Sequence, residues 1–261
     1  PGALKLMRQM SPRDMDKMAD DQCYYAPICD HKGGMLNDPV LIKVAEDHYW
    51  MSIADGDLLQ WALGLAVGQG LDVEVVEPDV SPLAIQGPKA DELMARVFGE
   101  VVRDIKFFRY KRLAFEDTEF LVARSGWSKQ GGFEIYVDGT EYGMPLWNRL
   151  FDAGEDLNVR AGCPNLIERI EGGLLSYGSD MRRENTPIEA GLARFCNSPE
   201  DYIGKSIIEA QKAQGPNQIL RPIAIDGAGD LPHNAVGWDV YADNKKVGLI
   251  ASAVWSPDFN T

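Results

Sequence analysis

The chain has 261 residues, 45% hydrophobic and 25% charged, which is ordinary globular composition with room for one or two domains. Its formal charge of −14 makes free nucleic acid a poor partner, because phosphate binding needs clustered Lys and Arg. No apolar run approaches the roughly 18 residues of a membrane span. Cys23, Cys29, Cys163 and Cys196 match no zinc or redox spacing, and His31, His48 and His233 are scattered. Reduced structural thiols, no metal and a cytoplasmic setting are therefore expected.

Residues 40–44 and 49–53 read as two half-buried strands joined by a turn at Asp47-His48. Asp55 or Asp57 is placed to cap a helix that carries Leu58, Leu59, Trp61, Ala62 and Leu65, and Gly68 and Gly70 end it. Residues 71–75 alternate apolar and charged, which predicts a strand. Residues 83–88 predict a short buried strand that stops at Gly87-Pro88, before a helix with Leu93, Met94, Val97 and Phe98 on one face. Two strands, 120–124 and 133–137, flank a glycine-rich loop. A helix follows over 146–151. Another is predicted from Pro164 to about Tyr177, with Leu166, Ile167, Ile170 and Leu174 facing inward. The tail alternates at 236–240 and 247–251, so a β-rich lobe begins near Leu220. The sum is an α+β chain of antiparallel strands with helices on one face. A piece cut at both ends is expected, with bare apolar surface around Trp238, Val240, Val247, Leu249 and Trp255, and again at residues 4–7.

Two loops carry the candidate chemistry. Residues 124–136 hold Gly126, Gly131 and Gly132, an aromatic (Trp127), and a carboxylate early in a strand (Glu134). The Lys-Ser/Thr ending of a P-loop is missing. Glycines let backbone approach a flat ligand, Trp127 offers a stacking face, and Glu134 suits the paired donors of an aminopyrimidine edge. Alternatively, the segment is a twisted hairpin with Glu134 in solvent. In residues 33–40, Asp38 sits where a turn enters a strand among apolar neighbours. It is either a buried carboxylate with a raised pKa or an ordinary Asx turn. Tyr24, Tyr25, Tyr49, Trp50, Trp127 and Tyr136 lie near these loops in sequence. They read as an aromatic cage for an onium cation or simply as core.

Taken together, these segments resemble the glycine-cleavage aminomethyltransferase (T-protein) family. Residues 33–38 are similar to the turn before its catalytic aspartate, and 125–134 to its threonine-glycine-tyrosine to glycine-tyrosine-glutamate segment. Residues 83–88 match its strand ending in Gln-Gly-Pro, and 169–178 its arginine-leucine-glutamate helix. The departures Asn37-Asp38-Pro39, Trp127 and Asn165, with Cys23-Tyr24-Tyr25 and residues 52–55, resemble the branch of bacterial dimethylsulfoniopropionate demethylases.

The resemblance implies a folate-binding cloverleaf of antiparallel sheet and helix lobes. Residues 1–218 would form two interleaved lobes, and 219–261 the start of a C-terminal β-barrel lobe. It implies methyl transfer from dimethylsulfoniopropionate to tetrahydrofolate, with no metal. Asp38 would be catalytic. Glu134, Trp127, Tyr136, Val40 and Arg169 would hold the folate, and Tyr25, Ser52 and Trp127 the donor. Arg169, Arg182 and Arg183 would meet the folate tail, unless they are a solvated helix end. The implied partners are a small methyl donor and folate, with a homodimer allowed. The alternatives are another folate-dependent N- or O-demethylase or aminomethyltransferase, or a non-catalytic folate-binding protein.

Overall fold

The computed structural model describes residues 2–54, 56–226 and 237–261. Helix α1 (Gly2–Met10) buries Leu6, Met7 and Met10, so the bare apolar surface expected at residues 4–7 is absent. Strands β1 (Cys23–Tyr25), β2 (Ile28–Cys29), β3 (Met35–Asn37), β4 (Val40–Ala45) and β5 (His48–Ser52) follow. β4 and β5 are the predicted hairpin, and β1 pairs with the other edge of β4 in an antiparallel sheet of order β1-β4-β5. β2 and β3 form a separate antiparallel pair.

Helix α2 (Leu58–Gly68) places Leu58, Ala62 and Ala66 four residues apart on one face, against Leu6, Met10 and Ile28. Asp57 is its N-cap but makes no side-chain cap bond; Asp55, the other predicted cap, lies outside the described residues. Residues 71–75 are not the predicted strand. Their alternation is real, since Leu71, Val73 and Val75 pack on the same cluster, but no strand pairs with them among the described residues. Apolar period selects a face; a ladder also needs a partner edge.

A second antiparallel sheet contains β6 (Val80–Gln86), β7 (Tyr110–Phe115), β8 (Thr118–Ala123) and β9 (Gly132–Asp138), in the order β6-β9-β8-β7. β6 is an edge strand, not the buried one predicted: Ser81, Pro82 and Ala84 are exposed, and the edge tolerates a proline that cannot donate to a ladder. Helices α3 (Ala90–Phe98) and α4 (Gly143–Ala153) cover one face of this sheet. There Leu93, Met94, Leu146 and Leu150 meet Phe120, Val122, Phe133, Ile135 and Val137.

Helix α5 (Leu166–Glu171) is shorter than the predicted 164–177. The Asn165 side chain caps it by accepting from the Ile167 and Glu168 N–H groups, and Gly172-Gly173 ends it, with Gly173 at φ 65°. Helix α6 (Lys205–Gln214) comes next. The tail forms the hairpin β10 (Trp238–Ala242) and β11 (Lys245–Ile250). Asp243 and Asn244 both take positive φ at its turn, the conformation a tight two-residue hairpin demands. The predicted strand 236–240 begins at a position outside the described residues, as does His233. Of the five residues expected to lie bare at this end, Val247 and Leu249 are exposed but Trp238, Val240 and Trp255 are half-buried, and the described residues form no closed barrel.

The α+β class stands: mixed helices with antiparallel sheets. All four cysteines are free. No helix of the described residues is long and apolar enough to cross a membrane.

Candidate active site

Strand parity builds the site. In the first sheet Tyr25, Val40 and Ser52 are cross-strand neighbours, and so are Cys23, Ile42 and Trp50 one pleat away. All six therefore share one face. In the second sheet the face opposite the helices carries Leu121, Ala123, Glu134 and Tyr136. These two faces meet: Cys23, Ile42, Leu121, Ala123 and Tyr136 form one buried cluster, with Val40 and Trp50 packed on it. The Tyr136 ring lies 6.0 Å from that of Trp50, and its hydroxyl is hydrogen-bonded to Ser52.

Asp38 stands between β3 and β4, two residues before Val40. Its backbone N–H donates to Asn37 Oδ1 at 2.9 Å, and its Oδ2 accepts the Tyr25 hydroxyl at 2.8 Å. Burial raises its pKa to about 6, against the opposing pull of the Tyr25 bond. The Tyr25 phenol is pushed up in turn, by burial first and then by the neighbouring Asp38 charge. Tyr177 donates to the Met35 carbonyl at 3.0 Å, bringing the segment after α5 alongside β3.

Glu134 points inward from β9 rather than into solvent. It is half-buried, accepts the Ser125 hydroxyl on Oε2, and has its pKa raised by burial against that bond. Ser125 is the sole hydrogen-bond partner of its side chain among the described residues. Its cross-strand neighbour on β6, Ala84, is exposed, so the face is open at that edge.

The loop before β9 is tied down by Gln86, whose Nε2 donates to the Ser125 and Phe133 carbonyls at 3.1 and 3.2 Å. Its Oε1 accepts the Ser128 hydroxyl at 2.8 Å. Gly126 is required here: a Cβ on it would lie 2.2 Å from the Gln86 amide.

Trp127 and Arg169 belong to a neighbouring network. The Trp127 indole donates to the Leu175 carbonyl at 3.1 Å, and the Arg169 guanidinium stands 5.8 Å from its ring centroid. Arg169 is buried in an ion pair with Asp180 and donates to Ser252 Oγ at 2.7 Å. Beside it lies a cavity of about 690 Å³, lined also by Arg182, Leu220 and Leu249. Arg183 pairs instead with the buried Asp30.

Residues 1–199 match the GCVT N-terminal domain family, about three quarters of the chain. The chain belongs to this family. It is 67% identical over 259 residues to the dimethylsulfoniopropionate demethylase DmdA of Ruegeria pomeroyi, covering 99% of this chain and 71% of that protein. It is 32% identical to an aminomethyltransferase of Caldanaerobacter subterraneus subsp. tengcongensis, covering 98% of this chain and 69% of that protein. A solved relative, the glycine cleavage system aminomethyltransferase T from Bartonella henselae, has the same fold, with a TM-score of 0.79 at 21% identity over 100% of this chain and 71% of that one.

Within this family member, Asp38, Tyr25, Val40, Ser52, Tyr136 and Glu134 are linked by direct contact, sheet register or a shared inner face. Trp127, Arg169 and Arg182 gather around the second network, and Arg183 pairs with Asp30 near Tyr177. Sequence reasoning assigned no role to Ser125, Gln86 or Asp180, which hold Glu134, the loop and Arg169. Ser125 and Gln86 were visible in the quoted motifs; Asp180 had no local signal. Asn165, which departs from the family's additional arginine, is engaged in capping α5.

Proposed function

We propose that this chain carries the tetrahydrofolate-dependent demethylation of dimethylsulfoniopropionate. The observation that carries this reading is the 67% identity to the Ruegeria demethylase along 99% of the chain. The site chemistry supports it. A sulfonium is a good leaving group: the C–S electron pair stays on sulfur, the product is a neutral methylmercaptopropionate-type thioether, and no oxidant is consumed. Tetrahydrofolate, when bound, supplies the ring nitrogen that accepts the methyl carbon. The protein's task is to hold the two in line and exclude water.

The residues fit a folate. Glu134 is a half-buried carboxylate on an inner face open at one edge, with one oxygen on Ser125 and the other available to an aminopyrimidine. Tyr136 and Val40 line the same meeting of sheets, and Trp127 and Arg169 would take the outer part of the ligand. Asp38 keeps Oδ2 on Tyr25, so its Oδ1 would accept the proton released at the reacting nitrogen. A cation over an aromatic face gains on the order of 0.5–2 kcal/mol, which orients the donor beside Tyr25 and Ser52 without binding it alone, whereas Trp127, expected to join them, stands in the neighbouring network. The division at residue 218, a cytoplasmic setting and a homodimer belong with this reading.

The test is turnover with a panel of methyl donors and tetrahydrofolate, alongside an aminomethyl-lipoyl substrate. The reading expects the sulfonium to exceed amine and ether donors in kcat/KM by orders of magnitude. Preference for the aminomethyl substrate would replace it with the glycine-cleavage activity.

A further inference from the structure

Tyr25, which holds Asp38, is itself held by residues from two distant parts of the chain. Phe195, at the end of the short turn Ala193–Phe195, sets its ring 5.0 Å from the Tyr25 ring at 66°, an edge-to-face contact. Arg13 fills the space behind them. Its guanidinium lies 3.3 Å from the centroid of Tyr24 and 4.9 Å from that of Phe195, and Nη1 donates to the Tyr25 carbonyl. Arg194 approaches the Phe195 ring at 4.6 Å. Backbone and ring of Tyr25 are thus both fixed before its hydroxyl reaches Asp38 Oδ2.

We infer that Phe195, with Arg13 stacked on it, is a positioning residue that holds the Tyr25 hydroxyl on Asp38. A phenol has two side-chain torsions, and a buried carboxylate accepts a useful hydrogen bond over a narrow angular range. The edge-to-face contact fixes the ring; the bond from Arg13 fixes the strand carrying it. Both come from outside the sheet, so the site is complete only when residues 193–195 and the loop after α1 are docked on it. The groups around Asp38 are Tyr25 and Tyr177; Arg194 is near Tyr25, and Asp30, Arg183 and Glu184 are near Tyr177.

The inference rests on the catalytic reading of Asp38, and its test separates the two. Phe195→Ala is compared with wild type by turnover, by thermal melting, and by ¹³C NMR titration of the Asp38 carboxyl, assigned with Asp38→Asn. Losing the Tyr25 bond removes the interaction that favours the ionised carboxylate. The Asp38 titration should therefore move up by about half a unit or more, and the acidic limb of kcat should move with it. The expected fall in kcat is roughly 5- to 10-fold, with donor KM within about 2-fold. Phe195→Tyr should restore both readouts. In the Tyr25→Phe background, Phe195→Ala should add little, because the two act through one bond.

Phe195→Leu serves if the alanine variant does not fold. A folded variant whose Asp38 titration and kcat match wild type overturns the inference, as does a full further loss in the Tyr25→Phe background. A shifted titration in a protein that transfers no methyl group leaves the positioning role standing and removes the demethylase reading.

Discussion

Asp38 is a carboxylate whose environment works against its charge. Burial lifts its pKa from 3.8 to about 6 even with Tyr25 donating to it. A carboxyl with a raised folded pKa binds its proton more tightly in the native state, so its effect on stability is most favourable below about pH 4 and is lost as pH rises through about 6. Asp38→Asn keeps an acceptor for Tyr25 and removes the charge. It should therefore be more stable than wild type at pH 8, by roughly 2–3 kcal/mol, and nearly equal at pH 4. Urea melts at the two pH values check this, and equal gaps at both would place the burial of Asp38 in error. The same variant should lose turnover more than folate affinity. Glu134 answers a different assay: Glu134→Gln should weaken folate binding by about 1–3 kcal/mol in calorimetry, because a charge-assisted bond becomes a neutral one. Unchanged affinity would take Glu134 out of the folate site.

At the level of elements, what the sequence disclosed and what it hid divide by range. The β4–β5 hairpin, the face of α3 and the flanks of the glycine-rich loop are local patterns, and they were legible. Parity with Phe133 and Ile135 puts Glu134 on the face opposite the helices, and only the docking of the first sheet there makes that face an inner one, so the sequence left its aim open. Residues 71–75 misled because their alternation reports burial, not pairing. The end of α5 misled because Leu174 continued an apolar period across Gly172-Gly173. The partners Ser125–Glu134, Arg169–Asp180 and Phe195–Tyr25 are set by tertiary docking, which no local pattern encodes. Gly126 shows how tightly one such element is built. Gly126→Ala must displace Gln86, which three hydrogen bonds hold, so it should lower stability by about 1–3 kcal/mol and weaken folate binding as well. A wild-type melt for this variant would mean the loop has room that its close packing denies.

Across the whole molecule, two sheets set face to face bring the sites from both halves of the chain together. The first sheet supplies Tyr25, Val40 and Ser52, the second Glu134 and Tyr136, and the segment beyond α5 closes on them through Tyr177 and Phe195. The tail is fastened at two places: Ser252 bridges the buried Arg169–Asp180 pair, and Ser256 and Asp258 tie on to Glu171 and Lys129. Removing one member of such a pair strands the other, so Asp180→Ala should destabilise by about 3–5 kcal/mol and speed proteolytic cleavage near residues 251–253. An unaltered melt and digest would show that the ties of residues 256–261 to Glu171 and Lys129 are enough to hold the tail. On this chain the methyl group moves from a sulfonium to tetrahydrofolate. The direct measurement is ¹³C NMR of the purified protein with methyl-labelled dimethylsulfoniopropionate and tetrahydrofolate. Label should appear in 5-methyl-tetrahydrofolate with one equivalent of thioether, and both should be strongly lost with Asp38→Asn; label that stays on the donor with folded wild-type protein and tetrahydrofolate present would contradict the transfer.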